Sequence, residues 1–144
     1  MKATLLAWLL LLACLFSCQR DSEETPDRRA LITARAWRLD QALVNGLPVT
    51  DPQVLNAIGS FNQSRLRFNN DGTFTSTNTA TNSVSTGTWE FSNGQEGLTI
   101  NIDNQTYQFT IKALTANQMN LTTPYTITTP FQATLEAELR LIPA

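Results

Sequence analysis

The chain predicts an all-β fold, an eight-stranded up-and-down antiparallel barrel, on three observations. Apolar and polar residues alternate with period two through most of positions 37–142. Clusters of Asn, Asp and Gly interrupt the alternation at short intervals, so that neighbouring strands must pair as hairpins. A run of sequential hairpins in so short a chain is most economically closed on itself, because closure removes both unpaired edges.

Each element follows in order. Asp27 to Arg35 predicts a short helix before the first strand, which runs Trp37 to Val44. Thr50-Asp51-Pro52 opens a second helix over 51–61, between the first two strands, since Asp followed by Pro suits the N-cap and first turn. Val54, Leu55, Ile58 and Phe61 then share one face. The remaining strands are Arg65 to Phe68, Thr73 to Thr79, Val84 to Phe91, Leu98 to Ile102, Thr106 to Ala113, Gln118 to Thr123 and Phe131 to Ile142. Turn chemistry joins them at Asn69-Asn70-Asp71-Gly72, Ser92-Asn93-Gly94, Asp103-Asn104-Gln105 and Ala116-Asn117.

Ahead of the barrel, Met1-Lys2 gives a positive start and Leu5 to Phe16 an apolar run. At about 12 residues the run is too short to span a bilayer and suits a secretory signal. It stops at Leu15-Phe16-Ser17-Cys18, which resembles the lipobox of bacterial lipoproteins. The organisation that follows is a signal peptide over 1–17, an acylated Cys18 with a flexible tether over 18–28, and a barrel domain over 29–144. Leu11-Leu12-Ala13-Cys14 is a competing site that would leave Leu15-Phe16 exposed, and ordinary secretion with two incidental cysteines is the alternative. "QRDSEETPDRR" after Cys18 is charged and lacks large apolar residues, as a solvated tether should be. Its acidic cluster resembles the export signal of surface lipoproteins of the Bacteroidetes. The expected location is the bacterial outer membrane, lipid-anchored, on its periplasmic or cell-surface side.

Cleavage before Cys18 removes Lys2, one of ten basic residues against twelve acidic, and takes the net charge from −2 to about −3. That balance predicts no basic patch for nucleic acid or anionic membrane. With the one remaining cysteine acylated, no disulfide is available and the fold must stand on its core.

Trp37 opening the first strand after a short helix, "FNNDGTF" at 68–74 and "GTWEF" at 87–91, together with the lipobox, resemble the lipocalin-like lipoproteins of the Bacteroidetes. The resemblance implies a lipocalin-like barrel. It also implies an arginine from the end of the barrel packed on the first-strand tryptophan, for which Arg140 is the candidate. Arg35 stands where classical lipocalins carry a glycine.

Following the alternation around the barrel segregates the inward residues by end. Trp37, Phe68, Phe74, Trp89, Phe91, Leu98, Met119 and Leu139 gather at the closed end as an apolar plug. Gln41, Ser76, Asn78, Ser85, Tyr107 and Thr123 gather at the other, beside Leu43, Ile102 and Phe131. With Phe61 and Tyr125 flanking the mouth, these six polar residues form the candidate ligand-binding set. Polar groups tolerate a site that opens to water or to a ligand's polar atoms. Two readings stay open: a mouth with a shallow pocket, or a filled barrel whose polar residues line a wet rim.

Catalysis finds little support. The chain has no histidine, the usual base of hydrolases and the commonest zinc ligand. Glu90, Glu136 and Glu138 take the outward parity of their strands, and Asp71 and Asp103 sit in turns. Gly94 and Gly97 precede no helix, so no phosphate-cradling loop forms. The threonine-rich stretch 73–88 reads as ordinary strand. The expectation is a non-enzymatic protein without metal or cofactor. It is either a binding module for a small, partly apolar or amphiphilic ligand, with the 51–61 helix as a lid, or an interaction protein engaging an envelope protein or glycan through its loops.

Overall fold

The computed structural model describes residues 27–57, 61–127 and 132–144. The signal peptide, Cys18 and the tether as far as residue 26 lie outside the described residues, as do Ile58 and Phe131.

In chain order the elements are α1 (Arg28–Thr33), β1 (Ala36–Val44), β2 (Leu47–Pro48), α2 (Pro52–Ala57), β3 (Ser64–Phe68), β4 (Thr73–Asn78), β5 (Val84–Ser92), β6 (Gly97–Ile102), β7 (Gln105–Leu114), β8 (Met119–Ile127) and β9 (Ala133–Pro143). Strands β1 and β3–β9 pair antiparallel in sequence order, and β9 returns to β1 with Trp37 opposite Pro143 and Val44 opposite Ala137. The result is the closed eight-stranded barrel that the alternation predicts. β2 is an addition to it. Asn45 and Gly46, with φ of 49° and 77°, make a two-residue turn that folds Leu47 and Pro48 back onto β1.

At one end α1 closes the barrel. Asp27 caps the helix by accepting a 2.9 Å hydrogen bond from the Arg29 N–H, so the last two residues of the expected tether already belong to this end. Ile32 is fully buried, and its carbonyl accepts the Trp37 indole N–H at 2.9 Å. The Trp89 indole donates to the Asn69 carbonyl, also at 2.9 Å. Both tryptophans thereby bury a large apolar body without orphaning a donor. Phe68, Phe74, Leu98 and Met119 fill the space between them with no exposed surface.

Arg140 does not pack on Trp37. It lies on the outer face of β9 opposite Gln41, where its Nε donates to Glu138 at 2.7 Å. The arginine that covers a tryptophan is Arg29 of α1, whose guanidinium sits 4.7 Å above the Trp89 ring.

At the other end β1 and β3 part company. They pair only over Ala36 to Arg38, and beyond that point Val49, Leu55 and Phe61 pack against the core. The Val49 N–H donates to the Ala42 carbonyl at 2.9 Å, and Leu55 of α2 and Phe61 are 8% and 2% exposed within the core. α2 therefore closes a seam in the barrel wall.

A bulge between Leu39 and Gln41, opposite Leu141 and Arg140, reverses the parity of β1. Ala42 and Val44 become the inward residues, and Gln41 and Leu43 turn to the outer face. β8 continues through Pro124 to Ile127, past Thr123, where the alternation ends the expected strand.

The near-neutral composition predicts no basic patch, yet pairing assembles one. Arg38 stands directly opposite Arg65 on the outer face, with Arg67 two positions along, and all three are exposed.

Candidate functional site

Phe61 sets the depth of the barrel mouth. The chain turns after it because Gln63 adopts a left-handed conformation, φ 59°, and the Ser64 N–H donates back to the Phe61 carbonyl at 3.2 Å. The Gln63 carbonyl accepts the Thr79 N–H at 2.8 Å and its hydroxyl at 2.9 Å, which fastens this turn to the end of β4. So held, the Phe61 ring enters the barrel from the side. Its centroid lies 5.7 Å from Tyr107, 6.0 Å from Phe109 and 6.4 Å from Phe74. Beneath it Leu66, Phe74 and Ile100 are essentially unexposed, so the lower interior is solid core.

Above Phe61 remains a cup of about 310 Å³ between β3–β7 and their connections. Its walls are Ser64, Ser76, Asn78, Ser83, Ser85, Ile102, Asp103, Gln105 and Tyr107. Ser64, Ser76 and Asn78 come from the inward parity of β3 and β4, Ser85 from β5 and Tyr107 from β7. Asp103 and Asn104, with φ of 50° and 62°, form the two-residue turn between β6 and β7 and put Asp103 at the rim. Among the described residues Asp103 is the one carboxylate in the lining, and no lysine or arginine lines it.

Asn78 has two duties. Its side-chain oxygen accepts the Ala80 and Thr81 N–H groups at 2.9 and 3.0 Å, holding the turn to β5, which leaves its NH2 for the cup. Among the described residues the only buried side-chain polar atoms without a partner are Arg28 Nε and Arg35 Nε. The cup's hydroxyls and amides are therefore accessible or bonded, never sealed dry.

Of the expected ligand-binding set, the structure brings Phe61, Ser76, Asn78, Ser85 and Tyr107 together. Gln41 leaves it through the bulge and faces outward, 3.4 Å from an Arg140 nitrogen. Thr123 and Tyr125 keep inward parity on β8, opposite Ala137 and Leu135, on the far wall, and Tyr125 packs against the core instead of lining the cup. Sequence reasoning missed Ser64, Ser83, Asp103 and Gln105. Ser64 was within reach, being the next inward residue before Leu66; the other three carry only turn signals.

A larger hollow of about 490 Å³ lies under α1, lined by Arg28, Leu31, Glu96 and residues 110–114 of β7. Thr110 and Lys112 there are outward residues, so it is a crevice outside the barrel.

The family model for the lipocalin-like domain matches residues 36–121, more than half of the chain. Among solved structures, a lipocalin-like protein from Bacteroides uniformis superposes with a TM-score of 0.52 at 10% identity, over 78% of this chain and 98% of that one. At such identity the likeness is one of fold. No curated protein matches the chain.

Proposed function

Because the chain belongs to the lipocalin-like domain family, we propose that it is a membrane-anchored binding protein that takes a small, partly apolar ligand in the cup at the open end of its barrel. A lipocalin-like barrel is in general a binding scaffold rather than a catalytic one. The observation that carries the proposal is the cup itself, an aromatic floor under a polar wall. Its volume of about 310 Å³ is at the small end of ligand pockets. The floor offers apolar contact while hydroxyls and amides orient a substituent. Anchoring by lipid at Cys18 accords with this arrangement, since Asp27 and α1 stand at the end opposite the mouth.

The filled interior favours a second reading, an envelope interaction protein whose barrel is only a scaffold for its loops. Native mass spectrometry of protein purified from its own host separates the two. The binding reading expects a co-purifying small molecule that disappears in the double variant Ser76→Val, Tyr107→Phe, with the melting temperature little changed because both side chains lie in a water-accessible cup. A retained molecule, released instead by altering the outward Thr75 and Thr77, would establish the surface reading.

A further inference from the structure

We infer that the cup selects an uncharged, polyhydroxylated ring of monosaccharide size, with Asp103 turning anions away. The inference rests on the small-ligand reading above and adds the chemical class.

Depth is the first constraint. An acyl chain entering the mouth meets Phe61, 2% exposed, with Phe74 and Leu66 packed below it, and has no channel to follow. A ligand must fit above that ring.

Hydrogen bonding is the second. Ser76, Ser85 and the Tyr107 phenol each donate and accept, and the Gln105 amide offers one group of each kind. An apolar guest would strip water from the half-buried Ser76, Ser85 and Tyr107 and return nothing for the hydrogen bonds lost. A ligand built from hydroxyls both donates and accepts, and answers each of them. The same ligand carries C–H faces, which suit the half-buried Tyr107 ring, backed by Phe61 with its centroid 5.7 Å away.

Charge is the third. Asp103 is held at the rim by its two-residue turn, and among the described residues no lysine or arginine in the lining offsets it. A carboxylate on the ligand would approach this group across a cup from which much of the water has been displaced, where like charges repel more strongly than in bulk solvent.

The test uses the full-length protein in a detergent without a sugar headgroup. Saturation-transfer NMR and equilibrium dialysis are run with methyl glucoside, methyl galactoside and methyl mannoside, with the matching uronates, and with laurate and hexylamine. At least one neutral hexoside is expected to bind, and its uronate to bind about tenfold more weakly, a discrimination of about 1.4 kcal/mol. Asp103→Asn, which keeps a residue tolerant of positive φ, should close most of that gap. Tyr107→Phe should weaken the neutral hexoside about tenfold. Tighter binding of laurate or hexylamine than of every hexoside overturns the class. A gap between hexoside and uronate that survives Asp103→Asn overturns the role of Asp103. If no hexoside binds while the co-purified mass is still lost in Ser76→Val, Tyr107→Phe, this inference fails and the small-ligand reading stands; if that mass is absent too, both fail.

Discussion

Asp71 closes the turn between β3 and β4 with one carboxylate oxygen, which accepts the Thr73 hydroxyl at 2.7 Å and the Thr73 N–H at 2.9 Å. The hydroxyl bond first, and the backbone bond after it, hold the carboxyl below its ordinary value of 3.8. A carboxyl depressed in the folded state adds stability that is complete above its unfolded value and is lost as pH falls through the folded one. Urea midpoints measured at pH 6 and again in the acid range should therefore drop less for Asp71→Asn than for the parent protein, and an equal drop would refute the assignment. Single residues also mark the limits of reading by alternation. Ser76, Ser85 and Tyr107 were legible as mouth residues because β4, β5 and the upper part of β7 run without irregularity, so parity counted from Phe74, Trp89 and Phe109 holds. Gln41 was not, because the bulge before it inserts one residue and reverses every side chain beyond. Nothing in "RLDQALV" distinguishes a bulge from a regular strand.

At the scale of elements, β5 lies against β6 with Gly87 facing Ile102. A Cβ on Gly87 would stand 1.9 Å from the Asn101 carbonyl oxygen, a backbone atom that cannot step aside without shifting the strand below the cup. Gly87→Ala should cost about 3 kcal/mol, the upper end for overpacking, and disturb ligand binding with it. Gly94→Ala is the control: its φ of 66° is strained for alanine but its surroundings are open, so the loss is about 1–2 kcal/mol with the cup untouched. Thermal melts of the two variants check the order. The hairpin elements themselves were readable from turn chemistry and period. β2 escaped notice because two residues carry no period, although Asn45-Gly46 is a strong hairpin signal. α2 was visible as a helix, but its destination was not. Leu55 is the residue of α2 that reaches the core, and Phe61, past the end of the helix, joins it there beside the parting of β1 from β3.

For the whole molecule, the two ends differ in construction. The closed end holds α1 and both ends of the domain, with the Ala144 N–H donating to the Ala36 carbonyl at 3.0 Å. The cup lies opposite. The cations Arg28, Arg29, Arg35, Arg38, Arg67 and Lys112 stand on α1 or toward its end of the strands, in company with Asp27, Asp71 and Glu96, whereas Asp51, Asp103 and Glu136 lie toward the mouth. No helix among the described residues is long and apolar enough to cross a membrane. On the proposed anchoring, Cys18→Ala should move the protein from the membrane to the soluble fraction with an unchanged thermal melt, because several acyl chains contribute about 0.8 kcal/mol per buried methylene and the barrel contributes none of that. Retention of the variant in the membrane fraction would show that the apolar run is itself the anchor.

The joint between β1 and β9 also has a kinetic meaning. From β3 to β9 each strand pairs with its neighbour in sequence, so the sheet can assemble hairpin by hairpin. β1 is different: it brings Trp37 beside Pro143 and must close nearly the whole domain into a loop before that contact gives anything back. Contacts so remote in sequence slow folding. Until they form, β9 presents an open edge carrying Leu135, Leu139 and Leu141. The interval before closure is the one in which this chain is most exposed to pairing with another copy of itself.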